Sequence, residues 1–285
     1  MPKFFPAQLH IMGILNVTPD SFSDGGKFVD VERAVARALQ MIEEGAAVVD
    51  VGGESTGPGS VDVNLDEELA RVIPVIQAIR KAEEVRGVSK VNRMQISVDT
   101  WKSEVARQAI EAGANMVNDV TALRGDPDMA RVVAEAGVPV VLMYSKDASA
   151  RTTGGLEGAV GYDDVVATVR AFLEERIKVA EFAGIPREQI IVDPGMGAFV
   201  SSEARVSLEL LERLDELRTL KCPILVGASR KSFIRDIWGG ERPEDRLKGS
   251  LEAAKLAVKH GAAILRVHDV EETVAALGLA PNGGS

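Results

Sequence analysis

The chain repeats one short pattern of hydrophobic and polar positions: the end of an amphipathic helix, a glycine, and a run of β-branched or aliphatic residues. It reads IEEGAAVVDVGG, IEAGANMVNDV, VAEAGVPVVLMY and VKHGAAILRVHD, beginning at Ile42, Ile110, Val132 and Val258. A glycine at that point suits the left-handed C-cap of a helix, and a run that is apolar at every position suits a strand buried on both faces. The repeated pattern therefore predicts a parallel sheet covered by helices.

Eight such strands can be placed along the chain, and a helical pattern follows each one. Eight strand–helix units in about 250 residues are typical of a (β/α)8 TIM barrel. We therefore predict an α/β fold with a single barrel domain over residues 1–280 and a flexible tail over 281–285. A doubly wound open sheet is the structural alternative. The predicted strands cover residues 9–17, 47–52, 94–99, 115–120, 139–144, 190–195, 223–228 and 263–268.

The helical patterns show apolar residues at helical spacing. In the first, Val31, Val35 and Leu39 belong to one stripe that is expected to face the sheet. In the second, Pro74 predicts a kink or a later start of the helix. The patterns cover residues 31–44, 66–83, 102–112, 127–136, 163–183, 203–218, 249–260 and 270–277.

Composition narrows the class of protein. The chain has 285 residues, of which 46% are hydrophobic and 27% charged, as in ordinary globular proteins. The formal charge of −10 argues against broad nucleic-acid binding, and no apolar run is long enough to span a membrane. The single cysteine, Cys222, cannot form an internal disulfide, which favours a reducing cytoplasm.

Polar residues stand where the predicted strands end. Active sites of such barrels lie at the C-terminal ends of the strands. One polar residue at such a place is often only a helix cap, but a whole rim of them predicts a site, with carboxylates and amides at one part and cations at another. The residues are Asn16, Asp50, Glu54, Asp99, Asn118, Asp119, Tyr144, Asp193, Ser229, Arg266 and His268.

The cations predict a phosphate site. Arg230 and Lys231 follow the seventh strand, and Arg266 and His268 end the eighth, two positions apart and thus on one face. Phosphate sites of these barrels commonly use the loops after strands seven and eight. We therefore expect this part of the rim to bind a phosphate or diphosphate.

The carboxylates and amides suggest a second partner. Asp99, Asn118 and Asp193 end strands three, four and six, so they are expected to converge in the barrel mouth. Together they match a flat heterocycle that carries several N–H donors. A Mg²⁺ site is the rival interpretation, because Asp and Asn oxygens also bind that ion.

Seven motifs resemble the dihydropteroate synthase family, in order and across nearly the whole chain. The first, GILNVTPDSFSDGG, begins at Gly13, and SRKSF with RVHDV near the C-terminus is equally specific. The resemblance implies a TIM-barrel transferase of folate biosynthesis and a sulfonamide target. Its members join (7,8-dihydropterin-6-yl)methyl diphosphate to 4-aminobenzoate. SRKSF is part of the motif GASRKSFI, and the other four motifs are DVGGEST, ISVDT, NDVTALR and VDPGMG.

The resemblance also implies site residues. It places Asp99, Asp193, Lys231 and Arg266 in the reaction itself. It implies pterin contacts at Asp99, Asn118, Asp193, Lys231 and Met143. It implies diphosphate contacts at Asn16, Thr56, Arg266 and His268, with Mg²⁺ held at Asn16. It implies an aminobenzoate side at Thr56, Gly57, Phe199 and Ser232, where the loop at 53–62 and the first motif are expected to close over the substrates.

Three departures from the family pattern stand out. Gly57 replaces an arginine after Thr56, Ala198 replaces an aromatic residue, and the segment 144–152 replaces one that contains histidine. The first two fall on the aminobenzoate side and the third near the pterin. Loss of a stacked ring or an arginine contact, each worth about 0.5–3 kcal/mol, would weaken aminobenzoate binding without abolishing it. Phe199, one place after Ala198, is expected to take over the stacking.

Two alternatives to the synthase therefore stay open: a transferase that uses the same pterin diphosphate with another amine, and a pterin-binding protein without catalysis. The expected partners are small-molecule substrates and a second copy of the chain in a homodimer. Neither nucleic acid nor a membrane is expected.

Overall fold

Eight parallel strands form one sheet in the part of the chain that the computed structural model describes, residues 8–18, 26–55, 60, 62–89, 93–150, 152 and 159–280. The order is β6-β5-β4-β3-β2-β1-β8-β7, and a parallel bridge between Val192 and Ile224 joins the two outer strands. The sheet thus closes on itself into the predicted (β/α)8 barrel. The strands are β1 His10–Asn16, β2 Val48–Gly52, β3 Gln95–Asp99, β4 Met116–Asp119, β5 Val140–Met143, β6 Ile190–Asp193, β7 Leu225–Val226 and β8 Ile264–Val267.

The helices cover the barrel, and within the described ranges they match the predicted patterns with four differences. The first helix begins at Gly26, five residues before the predicted start at residue 31. The helix that contains Pro74 is continuous, so the predicted later start is wrong. Asn64 caps it, accepting a hydrogen bond from the Glu67 N–H at 2.9 Å. The helices are α1 Gly26–Glu43, α2 Leu65–Val85, α3 Ser103–Ala112, α4 Met129–Ala136, α5 Val165–Phe182, α6 Ala204–Glu212, α7 Ser232–Trp238, α8 Leu247–Lys259 and α9 Val270–Ala276.

The other two differences lie near β7. The predicted helix 203–218 ends at Glu212, and a 3-10 helix, Leu214–Leu220, follows it. The seven-residue α7 was not predicted. It buries Phe233 and Ile234, but two turns are too short for an apolar stripe to identify a helix. None of the described helices is long and apolar enough to cross a membrane.

The hydrophobic core has two layers, one between sheet and helices and one inside the barrel. Side chains alternate along a strand, so the residue two positions after each interior apolar residue also faces inward. Those next positions carry Ile14, Asp50, Asn118, Met143, Asp193, Gly227 and Arg266, four of which are polar. The barrel therefore has an apolar base with a polar layer above it, at the C-terminal ends of the strands. The apolar base consists of Met12, Val48, Met116, Val141, Ile191, Leu225 and Ile264.

Candidate active site

Arg266 of β8 is at the centre of the polar layer. Its Nε donates to Asp50 Oδ2 at 2.6 Å, and its Nη2 donates to Asp99 Oδ2 at 2.6 Å. The Asn118 side-chain amide donates to the same Asp50 oxygen at 3.0 Å. Arg266 therefore lies among the carboxylates, and the expected separation of the cations from the carboxylates is wrong for this residue.

Asp50 is the residue that the sequence-based site missed. The motifs assign this strand-end residue no role, although it is fully buried and in contact with two predicted site residues. The signal was available, because Asp50 stands two positions after the interior residue Val48. In a parallel barrel that spacing puts it on the same inner face.

Asp99 has an unusual electrostatic environment. Burial, together with the charges of Asp50, Glu68 and Asp119, raises the pKa of its carboxyl above the ordinary range, against the opposing effect of Arg266. The Asp99 carboxyl therefore binds a proton more tightly than the carboxyl of an exposed aspartate does. This property suits a group that exchanges hydrogen bonds with a ligand near neutral pH.

Asp193 and Lys231 form the second part of the layer. Asp193 Oδ1 accepts a hydrogen bond from the Gly195 N–H at 2.7 Å, and burial raises the pKa of its carboxyl against the nearby charge of Lys231. Lys231 donates to the Met196 carbonyl at 3.2 Å, and burial lowers the pKa of its ammonium to about 8. Both groups are thus held by backbone contacts at the mouth of the barrel, with perturbed proton affinities.

Space is left between these two parts. A Cβ built on Gly227, which follows β7, would lie 3.9 Å from Asp193 Oδ2 and 3.9 Å from the Arg266 side chain. Any larger side chain there would project between the two. The glycine therefore keeps room for a ligand that touches both residues.

Phe199, expected on the aminobenzoate side, lies beside two residues for which pterin contacts are expected, Met143 and Lys231. It is 9% exposed and packs with Met143, Val120 and Ala150 in a small apolar cluster. The Lys231 ammonium lies over its ring, 4.9 Å from the centroid. The aromatic ring after β6 thus borders the pocket of Lys231.

Two of the segments that differ from the family pattern, 144–152 and the loop after β6, lie against each other. The Lys146 N–H donates to the Phe199 carbonyl at 2.8 Å, and the Thr152 hydroxyl donates to the Ala198 carbonyl at 2.7 Å. The Tyr162 hydroxyl donates to the Val200 carbonyl at 2.7 Å. The segment 144–152 and the loop after β6 are therefore one connected unit, and their sequence changes belong together.

The predicted phosphate side has weaker positive charge than expected. His268 Nδ1 is 3.0 Å from the Ser229 hydroxyl, and burial next to Arg266 lowers the pKa of the imidazole to about 4, so it is neutral at pH 7. Arg230 is paired with Asp269. A cavity of about 440 Å³ lies here, lined among others by Asn16, Arg230 and His268. Two arginines line it, Arg37 and Arg230, and each is paired with a carboxylate, Glu44 and Asp269 respectively.

The remaining predicted residues are placed as follows. Asn16 is exposed at the end of β1, and Ser232 is exposed at the start of α7. Thr56 and Gly57 lie outside the described residues, as does most of the first motif after Thr18. In the described ranges no three His, Cys, Asp or Glu side chains are grouped to hold a metal ion.

Two other strand-end residues have structural partners. Asp119 accepts hydrogen bonds from the backbone N–H groups of Thr121 and Leu123, at 2.8 and 2.7 Å. Glu54 accepts one from the Lys102 ammonium at 2.5 Å. For these residues the ordinary interpretation of a polar strand end, a loop or cap interaction, is sufficient.

Comparisons with known proteins point to one family. A family profile described as "Pterin binding enzyme" matches residues 12–268. The dihydropteroate synthase of Escherichia coli (strain K12) is 45% identical over 268 residues, which cover 94% of this chain and 89% of that protein. A probable bifunctional folylpolyglutamate synthase/dihydropteroate synthase of Haloferax volcanii is 47% identical, and this chain spans only 30% of its length.

Solved structures agree. The Xanthomonas albilineans dihydropteroate synthase with 4-aminobenzoic acid is 47% identical and has a TM-score of 0.84, covering 95% of this chain and 91% of that one. The same enzyme in complex with 7,8-dihydropteroate is 45% identical and has a TM-score of 0.81, covering 95% of this chain and 92% of that one.

Proposed function

This chain belongs to the dihydropteroate synthase family, and we propose that it joins (7,8-dihydropterin-6-yl)methyl diphosphate to 4-aminobenzoate. The products are 7,8-dihydropteroate and diphosphate. The observation that carries this proposal is the polar layer in the barrel mouth, where Asp193 and Arg266 flank the space that Gly227 leaves open. A flat ring with N–H donors fits between a carboxylate and a guanidinium.

The pterin is bound by the inner residues. Asp99, Asn118 and Asp193 supply oxygen acceptors for its N–H groups, and Lys231 supplies a donor for its carbonyl or ring nitrogen. Met143 and Phe199 supply an apolar wall beside Lys231. This arrangement recognises the heterocycle by its pattern of hydrogen-bond donors and acceptors as well as by its shape.

The diphosphate is bound by Asn16, Thr56, Arg266 and His268. The neutral imidazole of His268 acts as a hydrogen-bond donor here, and Arg266 supplies positive charge from inside the barrel. The exposed amide of Asn16 fits Mg²⁺, an ion that usually keeps waters and takes few protein oxygens plus substrate phosphates. When bound, Mg²⁺ would offset the charge that develops on the departing diphosphate.

The reaction needs no nucleophilic side chain. The bond between the methylene carbon and the diphosphate oxygen breaks, and its electron pair leaves with the diphosphate. The lone pair of the aryl amine then forms a bond to the methylene carbon, and the nitrogen gives up one proton. Asp193 and Asp99 stabilise the positive charge on the pterin between these events, because fixed carboxylates in a buried site need no reorganisation.

The aminobenzoate side is the part of the proposed site where the sequence differs most from the family pattern. Thr56, Gly57, Phe199 and Ser232 are its proposed residues, and Phe199 supports it by bordering the Lys231 pocket. The connected change of 144–152 and the loop after β6 favours a second candidate, a transferase that attaches another amine to the same pterin diphosphate. A pterin-binding protein without catalysis is the third candidate.

We also propose a single domain for residues 1–280, a homodimer and a cytoplasmic location. Sedimentation equilibrium tests the homodimer, for which we expect twice the mass of the chain. A value equal to one chain at assay concentrations contradicts it.

The pH dependence of the reaction reports on Lys231. Its pKa of about 8 means that the ammonium loses its proton, and with it the donor and charge offered to the pterin, as the pH rises through 8. We expect kcat/KM for the pterin diphosphate to fall above about pH 8. In Lys231→Arg, which stays charged to pH 12 and beyond, the activity is lower but this fall is absent. An unchanged profile in the variant would assign the fall to another group.

The direct test of the proposed function is a two-product assay. The purified protein is incubated with the pterin diphosphate, Mg²⁺ and 4-aminobenzoate, and diphosphate and dihydropteroate are both measured. Equal amounts of the two are expected. Diphosphate without dihydropteroate would favour the other amine acceptor, and neither product would favour the binding protein.

A further inference from the structure

One carboxylate oxygen of Asp50 accepts two hydrogen bonds. Its Oδ2 accepts from Arg266 Nε at 2.6 Å and from the Asn118 amide at 3.0 Å. Its Oδ1 is buried and has no hydrogen-bond partner among the described residues. Asp50 is 0% exposed, so its function is exerted through the two residues that it holds.

The contact with Asn118 fixes the direction of an amide. The Asp50 oxygen that faces Asn118 also accepts from Arg266 Nε and is therefore an acceptor, so the Asn118 group that faces it is the NH₂ and not the carbonyl. The carbonyl oxygen of Asn118 must then point away from Asp50. Asn118 is thereby committed to present an acceptor, which is what an N–H group of a heterocycle requires.

The contact with Arg266 fixes the plane of a guanidinium. Nε is held by Asp50 and Nη2 by Asp99, so two carboxylates on neighbouring strands determine the orientation of the planar group. Arg266 retains 19% exposure of its side chain, and its hydrogen bonds to described residues use Nε and Nη2 but not Nη1. That nitrogen is the part of the guanidinium left to contact a ligand.

We infer that Asp50 is a positioning residue for the pterin site, which sets the hydrogen-bond polarity of Asn118 and the orientation of Arg266. This inference rests on the proposed function for the identity of the ligand. Asp50 does not touch the substrate itself. Its effect is expected on pterin binding and not on the binding of 4-aminobenzoate.

The test compares Asp50→Ala with Asp50→Asn. Alanine removes the acceptor, whereas asparagine keeps one oxygen at the Oδ2 position and can place its NH₂ where Oδ1 has no partner. The dissociation constant of 6-hydroxymethyl-7,8-dihydropterin is measured by calorimetry, which requires no turnover. We expect Asp50→Ala to weaken binding by roughly 5- to 150-fold, as for lost buried hydrogen bonds, and Asp50→Asn to stay within about threefold of the wild type.

Two results would overturn the inference: binding by Asp50→Ala within twofold of the wild type, or binding by Asp50→Asn as weak as by Asp50→Ala. The first removes any role for the acceptor, and the second assigns the effect to charge or folding. If thermal melting shows that Asp50→Ala is unfolded, Asp50→Ser takes its place under the same limits. A wild type that binds the pterin but makes no dihydropteroate refutes the proposed reaction and leaves this inference standing.

Discussion

Arg266→Ala is expected to destabilise the protein by about 3–5 kcal/mol, the range found when one partner of a buried ion pair is removed. The loss leaves Asp50, which is fully buried, and Asp99, which is 16% exposed, without the guanidinium that both contact at 2.6 Å. Uncompensated charge in that layer is costly. Urea unfolding at pH 7 measures the free energy of unfolding directly.

The same variant should lose activity in a characteristic way. Any folded fraction is expected to need a higher concentration of the pterin diphosphate, because Arg266 is the proposed contact of the leaving group. Arg242→Ala is the matched control. Arg242 pairs with Asp245 on the surface with 69% of its side chain exposed, and its loss should change stability by less than about 1 kcal/mol. Equal unfolding curves for the two variants would refute the buried role of Arg266.

Asp193→Asn is expected to lower kcat/KM for the pterin diphosphate by about 10²–10³-fold, as when one electrostatic contact to a transition state is removed. The substitution is isosteric. In the wild type the Gly195 N–H donates to Asp193 Oδ1 at 2.7 Å, and the amide oxygen of the asparagine can accept the same hydrogen bond. The fold should therefore be kept. The charge of Asp193 also helps to hold the proton on Lys231, so its removal should lower the pKa of that ammonium further.

Initial rates over a range of pterin diphosphate concentrations measure this effect. Asp128→Asn, which removes a carboxylate that is 60% exposed and paired with Arg131, is the control and should keep full activity. If Asp193→Asn retains more than a tenth of the wild-type kcat/KM, Asp193 does not stabilise the pterin cation. The pterin would then have to be bound elsewhere on the rim.

The barrel could be predicted from the sequence because its signal is local. Each strand is a short run of buried residues next to a glycine-capped helix, and each repeat carries the same information. The miss at α7 has a local cause as well, since a seven-residue helix that buries Phe233 and Ile234 shows no recognisable period.

The sequence predicts most residues of the candidate site, but it does not predict which of them contact each other. Asp99, Asn118, Asp193 and Arg266 were identified from their places at strand ends, and the structure brings them into one layer. Arg266 and Asp50 are 216 positions apart in the sequence, and they come into contact only because the barrel closes. The neutral state of His268 likewise results from burial beside Arg266, which a linear pattern does not express.

A crystal structure of the protein with 7,8-dihydropteroate tests the account most directly. The pterin ring is predicted to lie between Asp193 and Arg266, beside Gly227, with the Asn118 carbonyl within hydrogen-bond distance of a ring N–H. The aminobenzoyl end should point out of the barrel toward Ser232. A pterin ring bound outside the mouth of the barrel, or an Asn118 that donates to it through its NH₂, would contradict the account.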